Sequence, residues 1–360
     1  MTDRGEASGL QSVPGVPGVT EPGTLARWMA SAGLDGLGEL RVVELISGGR
    51  SNLTYRLDLD GGAVVLRRPP LGHVLPTAHD MSREYRVLSA LSGTAVPVPA
   101  PLAFCSDPEV IGAPFYLMKN VDGVVLRSRQ DGEQLSPEQA GELSELLVQM
   151  MAAIHAVDVE AVGLADFGRP QGYLTRQLAR WQRQWELSNN REMPGYAELV
   201  ERLTAGLPDP AKAEGTLVHG DFRLDNTLVQ LTAPARIAAV VDWEMSTLGD
   251  PLADLGLTLS YWADGAGEQF PDINVGATVT ALPGFYSRAQ FAARYAELTG
   301  RDISSIGYYI AFGYFKLAVV LEGIHARYLL NQTVGEGFEH EGPAVPVLIA
   351  RAHQMLDTTG

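Results

Sequence analysis

Apolar residues in the first third of the chain fall in short runs with turn residues between them. Arg41 to Ile46, Ser51 to Leu59 and Ala63 to Arg68 read as three successive strands, separated by SGGRSN and by an Asp60-Gly61 hairpin signal. Pro69-Pro70 closes the third. Two further strands fall near Leu102 to Phe104 and Phe115 to Met118, after an extended VPVPAP connection over Val96 to Pro101. Helical spacing interrupts this pattern at Asp80 to Leu91, where Met81, Glu84, Leu88 and Leu91 lie along one stripe. Glu84 is an acid on an apolar face, which is explained if Arg67 reaches it from the third strand. Arg68, next to it, reads as a surface residue at a strand end.

Beyond residue 121 helical periods dominate. Ser136-Pro137-Glu138-Gln139 forms a capping box with proline in the first turn, and Leu143, Leu146, Leu147, Met150, Met151 and Ile154 repeat behind it as a buried helix ending at His155. Tyr173 to Leu187 packs through Leu174, Leu178, Trp181 and Trp185, while Arg176, Arg180 and Arg183 point elsewhere. That basic face is either solvated or a surface for an acceptor or a CoA phosphate. Further helices are expected after Gly249-Asp250-Pro251 and around Arg288 to Thr299, Tyr308 to Leu330 and Val345 to Leu356. In the Tyr308 helix Lys316, Glu322, His325 and Arg327 are polar exceptions on an otherwise apolar cylinder. Residues 1 to about 22 are rich in Gly and Pro without a period and read as a loosely attached leader. A short packed helix from Thr24 follows, carrying Leu25, Trp28, Met29 and Leu34.

The chemistry concentrates in one stretch. Leu217-Val218 reads as a strand, HGDFRLDN as a loop, Thr227 to Leu231 as a second strand and Ile237 to Val241 as a third, together a strand-loop-strand-turn-strand unit. Asp221 sits at the turn of the loop, Asn226 five residues on, and Asp242 ends a buried apolar run where an unpaired carboxylate would be costly. Magnesium is one fitting partner, because it takes one or two carboxylates together with substrate phosphates and waters. Asn226 and Asp242 supply such a set and leave Asp221 to accept the proton of an attacking hydroxyl. Protein kinases divide the labour in this way.

Composition narrows the field. The 360 residues suggest two domains, and a net charge of −16 opposes nonspecific binding to nucleic acid or to an anionic membrane. Cys105 is the single cysteine, which fits a reducing compartment. With no run of 18 apolar residues and no basic-then-apolar N-terminus, a cytoplasmic location is expected.

H-G-D-x-x-x-x-N followed by a strand ending in D-W-E resembles the aminoglycoside phosphotransferase and choline kinase-like superfamily. GGRSNLTYRL, VLRRPPLGHVLPTAHDMSREYRVL and FKLAVVLEGIHARYLL bring it nearest to the kinase-like domains fused to acyl-CoA dehydrogenases. The resemblance implies an α+β, bilobal, protein-kinase-like fold. Its small lobe, 23–120, would be a five-stranded antiparallel sheet with a helix, and its large lobe, 121–360, mostly helical. ATP would lie between the lobes. Gly48, Gly49, Arg50, Ser51 and Asn52 would cover its phosphates, Arg67 would replace the usual lysine and pair with Glu84, and Met118, Lys119 and Val121 would form the hinge at adenine. Asn226 and Asp242 would hold Mg²⁺, Asp221 would be the base, and Arg223 would neutralise charge on the transferred phosphoryl group. Asp254 would brace the loop, and His219 and His155 would be structural.

The implied activity is ATP- and Mg²⁺-dependent phosphorylation of a small-molecule hydroxyl, with a hydroxyacyl-CoA or hydroxy acid as the suggested acceptor. An aminoglycoside acceptor, or a nucleotide-binding regulator without catalysis, is the alternative. A protein kinase is disfavoured because D-W-E replaces D-F-G and no A-P-E follows.

Overall fold

The structure, a computed structural model, describes residues 13–46, 52–71, 80–209, 215–264, 277–330 and 341–358. Contacts divide the chain into two units, Met1–Ser92 with Pro99–Val121, and Gly93–Val98 with Asp122–Gly360.

The first unit begins with α1 (Pro22–Ser31) and continues through β1 (Leu40–Leu45), β2 (Leu53–Leu59), β3 (Gly62–Arg68), α2 (Met81–Leu91), β4 (Pro101–Cys105) and β5 (Phe115–Lys119). The strands form an antiparallel five-stranded sheet in the order β1-β2-β3-β5-β4. Period-two alternation sends Tyr55, Leu57, Leu66, Phe115 and Leu117 to one face, where they are wholly buried with Leu25 and Met29 of α1. Trp28 adds an edge contact to Phe115, ring centroids 4.7 Å apart. On the other side Tyr85 of α2 lies against Phe104 and Tyr116.

Two expectations for this unit are corrected. Residues 13–21, expected to be loose, are tied to the sheet: Tyr55 donates to the Pro17 carbonyl at 2.5 Å, and Val19 is fully buried. Arg68, expected at the surface, is buried and donates to the carbonyls of Gly18 (2.5 Å) and Ile111 (2.8 Å). One guanidinium thus pins two irregular segments whose carbonyls would otherwise be buried without partners. A Gly- and Pro-rich composition conceals this, because the anchor is backbone rather than side chain.

The second unit is mostly helical. It contains α3 (Arg129–Gly132), α4 (Pro137–His155), α5 (Tyr173–Ser188), α6 (Tyr196–Ala205), β6 (Thr216–Val218), β7 (Thr227–Gln230), β8 (Arg236–Val240), β9 (Thr247–Gly249), α7 (Pro251–Tyr261), α8 (Ala277–Thr280), α9 (Arg288–Thr299), α10 (Ile306–Leu329) and α11 (Glu341–Asp357). Ser136 and Gln139 close the expected capping box on α4, and Asp250 caps α7 ahead of Pro251. Helix α10 is long and apolar enough to cross a membrane, but 72% of that window is buried within the protein, against α7, α11 and α5 among others. It is a core helix.

The three strands expected to form one unit separate into two ribbons. β6 pairs with β9, which the sequence pattern did not reveal, while β7 and β8 form their own hairpin. Three-residue strands carry too little alternation to be read, and only the close return of the chain creates them.

Candidate active site

Strand β6 delivers the chain into His219-Gly220-Asp221, and helix α7 grips this turn from beneath. Asp254 accepts hydrogen bonds from the backbone N–H groups of His219 (2.7 Å) and Gly220 (2.8 Å). His155, at the end of α4, bonds the same carboxylate through Nε2 at 3.2 Å, and its Nδ1 meets the Tyr295 hydroxyl at 2.7 Å. Burial works against the Asp254 charge, but His155 and His219 outweigh it and hold the carboxyl below its ordinary range. Thr258, one turn further along α7, donates to the Phe222 carbonyl at 2.7 Å. Gly220 has φ +81, and a Cβ there would lie 2.5 Å from the Met245 carbonyl oxygen, so the turn needs glycine on both counts.

His219 is fully buried and has both ring nitrogens committed. Nε2 bonds the Val241 carbonyl at 3.0 Å, so it carries the proton, and Nδ1 accepts from the Asp221 N–H at 3.3 Å. The ring also lies 4.6 Å from that of Trp243. This histidine joins the loop after β6 to the turn after β8, and with it Asp221 to the neighbourhood of Asp242.

Asn226 makes the second join. Its Nδ2 donates to the Asp221 backbone oxygen (2.8 Å) and carboxylate Oδ2 (3.2 Å), while its backbone carbonyl accepts from Val241 at 3.0 Å. Its Oδ1 would be the ligand atom for a metal. Asp242 follows at φ 67, the left-handed conformation, and is the one non-glycine residue with positive φ among the described residues. Such a conformation costs about 1–3 kcal/mol and persists where the surroundings impose it. Here Trp243 does so: it is buried and donates its indole N–H to the Val240 carbonyl at 3.0 Å. Among the described residues no group of three or more His, Cys, Asp or Glu could hold a metal. One amide oxygen and one carboxylate suit Mg²⁺, which completes its shell with phosphates and water.

Arg223 lies over the Tyr261 ring at 4.7 Å and pairs with Asp225 (3.1 Å) and Asp221 (3.6 Å). Burial disfavours its charge, but Asp221, Asp225 and Asp242 more than compensate and raise its pKa further. Its buried Nε makes no hydrogen bond to protein. The anion this Nε faces is the Asp221 carboxylate, 3.6 Å away. Burial also raises the Tyr261 pKa, as does the negative charge of Asp221 nearby. Sequence reasoning missed Asp225 and Tyr261; Tyr261 ends the apolar α7 segment and has no local pattern to mark it.

Lys316 enters from α10. Its Nζ donates to the Gly220 carbonyl at 2.8 Å and lies 5.6 Å from the Trp181 ring, which Arg180 approaches at 5.3 Å from α5. Arg176, grouped with Arg180 from sequence, instead caps the local carbonyls of Arg169 and Gln171.

In the first unit the expected ion pair is formed: Arg67 Nε lies 2.9 Å from Glu84 Oε2, with both side chains largely buried. Asn52 is buried at the start of β2. Gly48, Gly49, Arg50 and Ser51 lie outside the described residues. Met118 and Lys119 end β5, and Val121 ends the unit. The Lys119 N–H donates to the Ala100 carbonyl at 2.8 Å.

Residues 42–287 match the model of the phosphotransferase enzyme family. Acyl-CoA dehydrogenase family member 11 of Gallus gallus is 37% identical over 306 residues, which cover 83% of this chain and 38% of that protein. The human protein of the same name is 36% identical over 293 residues, covering 80% and 36%. The chain therefore spans less than two fifths of the length of these relatives. Among solved structures, a Ralstonia eutropha protein described as an aminoglycoside phosphotransferase has a TM-score of 0.79 at 33% identity, covering 94% of this chain and 98% of that one. The phosphotransferase APH(4)-Ia, captured in a ternary complex with ADP and hygromycin B, shares the fold with a TM-score of 0.60 at 16% identity. The expected resemblance to both groups is thus found, and the chain belongs to the phosphotransferase enzyme family, with a protein-kinase-like fold.

Proposed function

We propose that this protein transfers a phosphoryl group from ATP to the hydroxyl of a small anionic molecule, a hydroxyacyl-CoA or hydroxy acid. The observation that carries this reading is the junction of Asp221, Asn226 and the Val241-Asp242 turn through the Asn226 amide and carbonyl. Asn226 and Asp242 would hold Mg²⁺, which would offset the negative charge of the nucleotide phosphates. Asp221 orients the acceptor hydroxyl and takes its proton on a carboxylate oxygen, and the Asn226 amide keeps that carboxylate in place. Arg223 directs its guanidinium, preorganised on Tyr261, to the negative charge of the migrating group. Arg67, held straight by Glu84, serves the nucleotide phosphates through a planar two-point contact. Solved members of the fold that bind ADP support nucleotide use by this chain.

Arg180, which approaches Trp181 near the Asp221 loop, favours an acceptor with a carboxylate or phosphate over a polycationic aminoglycoside. The test is ADP formation from Mg-ATP with hydroxyacyl-CoAs, free hydroxy acids and aminoglycosides in parallel. Turnover is expected with the anionic acceptors and should fall by about 10²–10⁴-fold in Asp221→Asn. Turnover with aminoglycosides alone would overturn the acceptor class. ATP binding without turnover on any acceptor would favour a regulator.

A further inference from the structure

Helices α7 and α10 cross at two glycines. A Cβ on Gly256 would lie 2.4 Å from the Tyr309 backbone, and one on Gly313 would lie 3.0 Å from the Gly256 carbonyl. The backbones therefore approach more closely than any side chain would allow. Asp254 stands two residues before the first glycine and Lys316 three residues after the second, a spacing that keeps Lys316 on the face of Gly313. The crossing brings both side chains to the backbone of the same residue, Gly220, from different helices. Asp254 takes the N–H groups of His219 and Gly220, and Lys316 takes the carbonyl of Gly220, the residue immediately before Asp221.

We propose that Lys316 is a positioning residue for phosphoryl transfer, fixing the Asp221 carboxylate by clamping the Gly220 carbonyl against the pull of Asp254. This rests on the reading of Asp221 as the base. An ammonium in the core of an apolar helix is costly, and burial does lower the Lys316 pKa, while Asp221 and Asp254 oppose that shift. Placed there for packing alone, a leucine or methionine would serve better. What a lysine adds is a charge-assisted bond to the carbonyl of the 220–221 peptide, whose N–H on the other edge is held by His219 Nδ1 at 3.3 Å. The neighbouring charges are Asp221, Asp254, Arg180 and Arg223, so the ammonium also offsets negative charge around the turn.

The full chain with Lys316→Met tests this by three readouts: kcat and KM for acceptor-dependent ADP formation, ADP affinity by calorimetric titration, and deuterium uptake of the 216–226 segment. Loss of a charge-assisted bond should lower kcat between about ten- and a hundred-fold. ADP affinity should stay within about twofold, and uptake in the segment should accelerate. Lys316→Gln keeps a donor without the charge and should give the same pattern at smaller amplitude, which serves if the methionine variant does not fold. Unchanged uptake, or equal losses of kcat and ADP affinity, overturns the assignment. A wild-type chain that phosphorylates no acceptor overturns the preceding functional reading instead, and the deuterium uptake still decides the role of Lys316.

Discussion

Asp254 holds the catalytic loop from beneath, since two backbone N–H groups and the His155 ring converge on it. Its folded pKa lies below the ordinary 3.8. A carboxyl depressed on folding contributes stability that is present above its unfolded pKa and lost as pH falls through the lower folded value. Asp254→Asn should therefore be less stable than wild type at neutral pH, and the gap should close in acid below about pH 3.8. Urea midpoints from pH 7 down to the acid limit of folding measure it; a gap that stays constant would show that titration of Asp254 is not involved. Adjacent residues of one type can still differ wholly in duty. Arg67 meets Glu84, whereas Arg68 on the opposite strand face is buried against backbone carbonyls. The alternation separating the two was readable, but the carbonyls receiving Arg68 come from distant segments, so its burial was not.

Helix packing makes glycines on α7 and α10 unequal. Gly256→Ala should destabilise by about 1–3 kcal/mol, because the added methyl would overlap the Tyr309 backbone. It should also slow catalysis by shifting Lys316 and Asp254 from the Gly220 peptide. Gly323→Ala, in the same α10 but with its nearest neighbour at 3.4 Å, should instead stabilise by about 0.5–1 kcal/mol through reduced freedom of the unfolded chain. Melting temperatures of the pair decide this, and a shared sign would refute the close-crossing argument. Long helices with strong periods were visible beforehand, and their observed ends fall within a few residues of those expected. β9 and the pairing of β6 with it were not, since a three-residue ribbon is created by chain return rather than by its own pattern.

Across the whole molecule, each unit has its own core: the Tyr55-Leu57-Phe115 cluster in the first, and the helices around α10 in the second. Heat unfolding should consequently depart from a single two-state transition. Arg67→Met, which removes the ion pair of buried Glu84, should weaken the first unit by about 2 kcal/mol. Calorimetry should show the transition of the first unit moving while that of the second stays. One transition shifting as a block would contradict it. The net charge of −16 sets a field hostile to the anionic acceptor proposed above, so the value of a basic group such as Arg180 depends on its placement.

Sequence alone determined the spacing of Asp221, Asn226 and Asp242, the Arg67–Glu84 partnership and the apolar character of the Tyr308 helix. Each of these is local, or repeats at a period that the backbone imposes. Tertiary structure decided that Asp254 and Lys316 grip the Gly220 backbone from two helices, that Tyr261 covers Arg223, and that Arg68 turns inward. Those contacts join residues 30 to 100 positions apart, and a period of 2 or 3.6 residues holds no information over such separations.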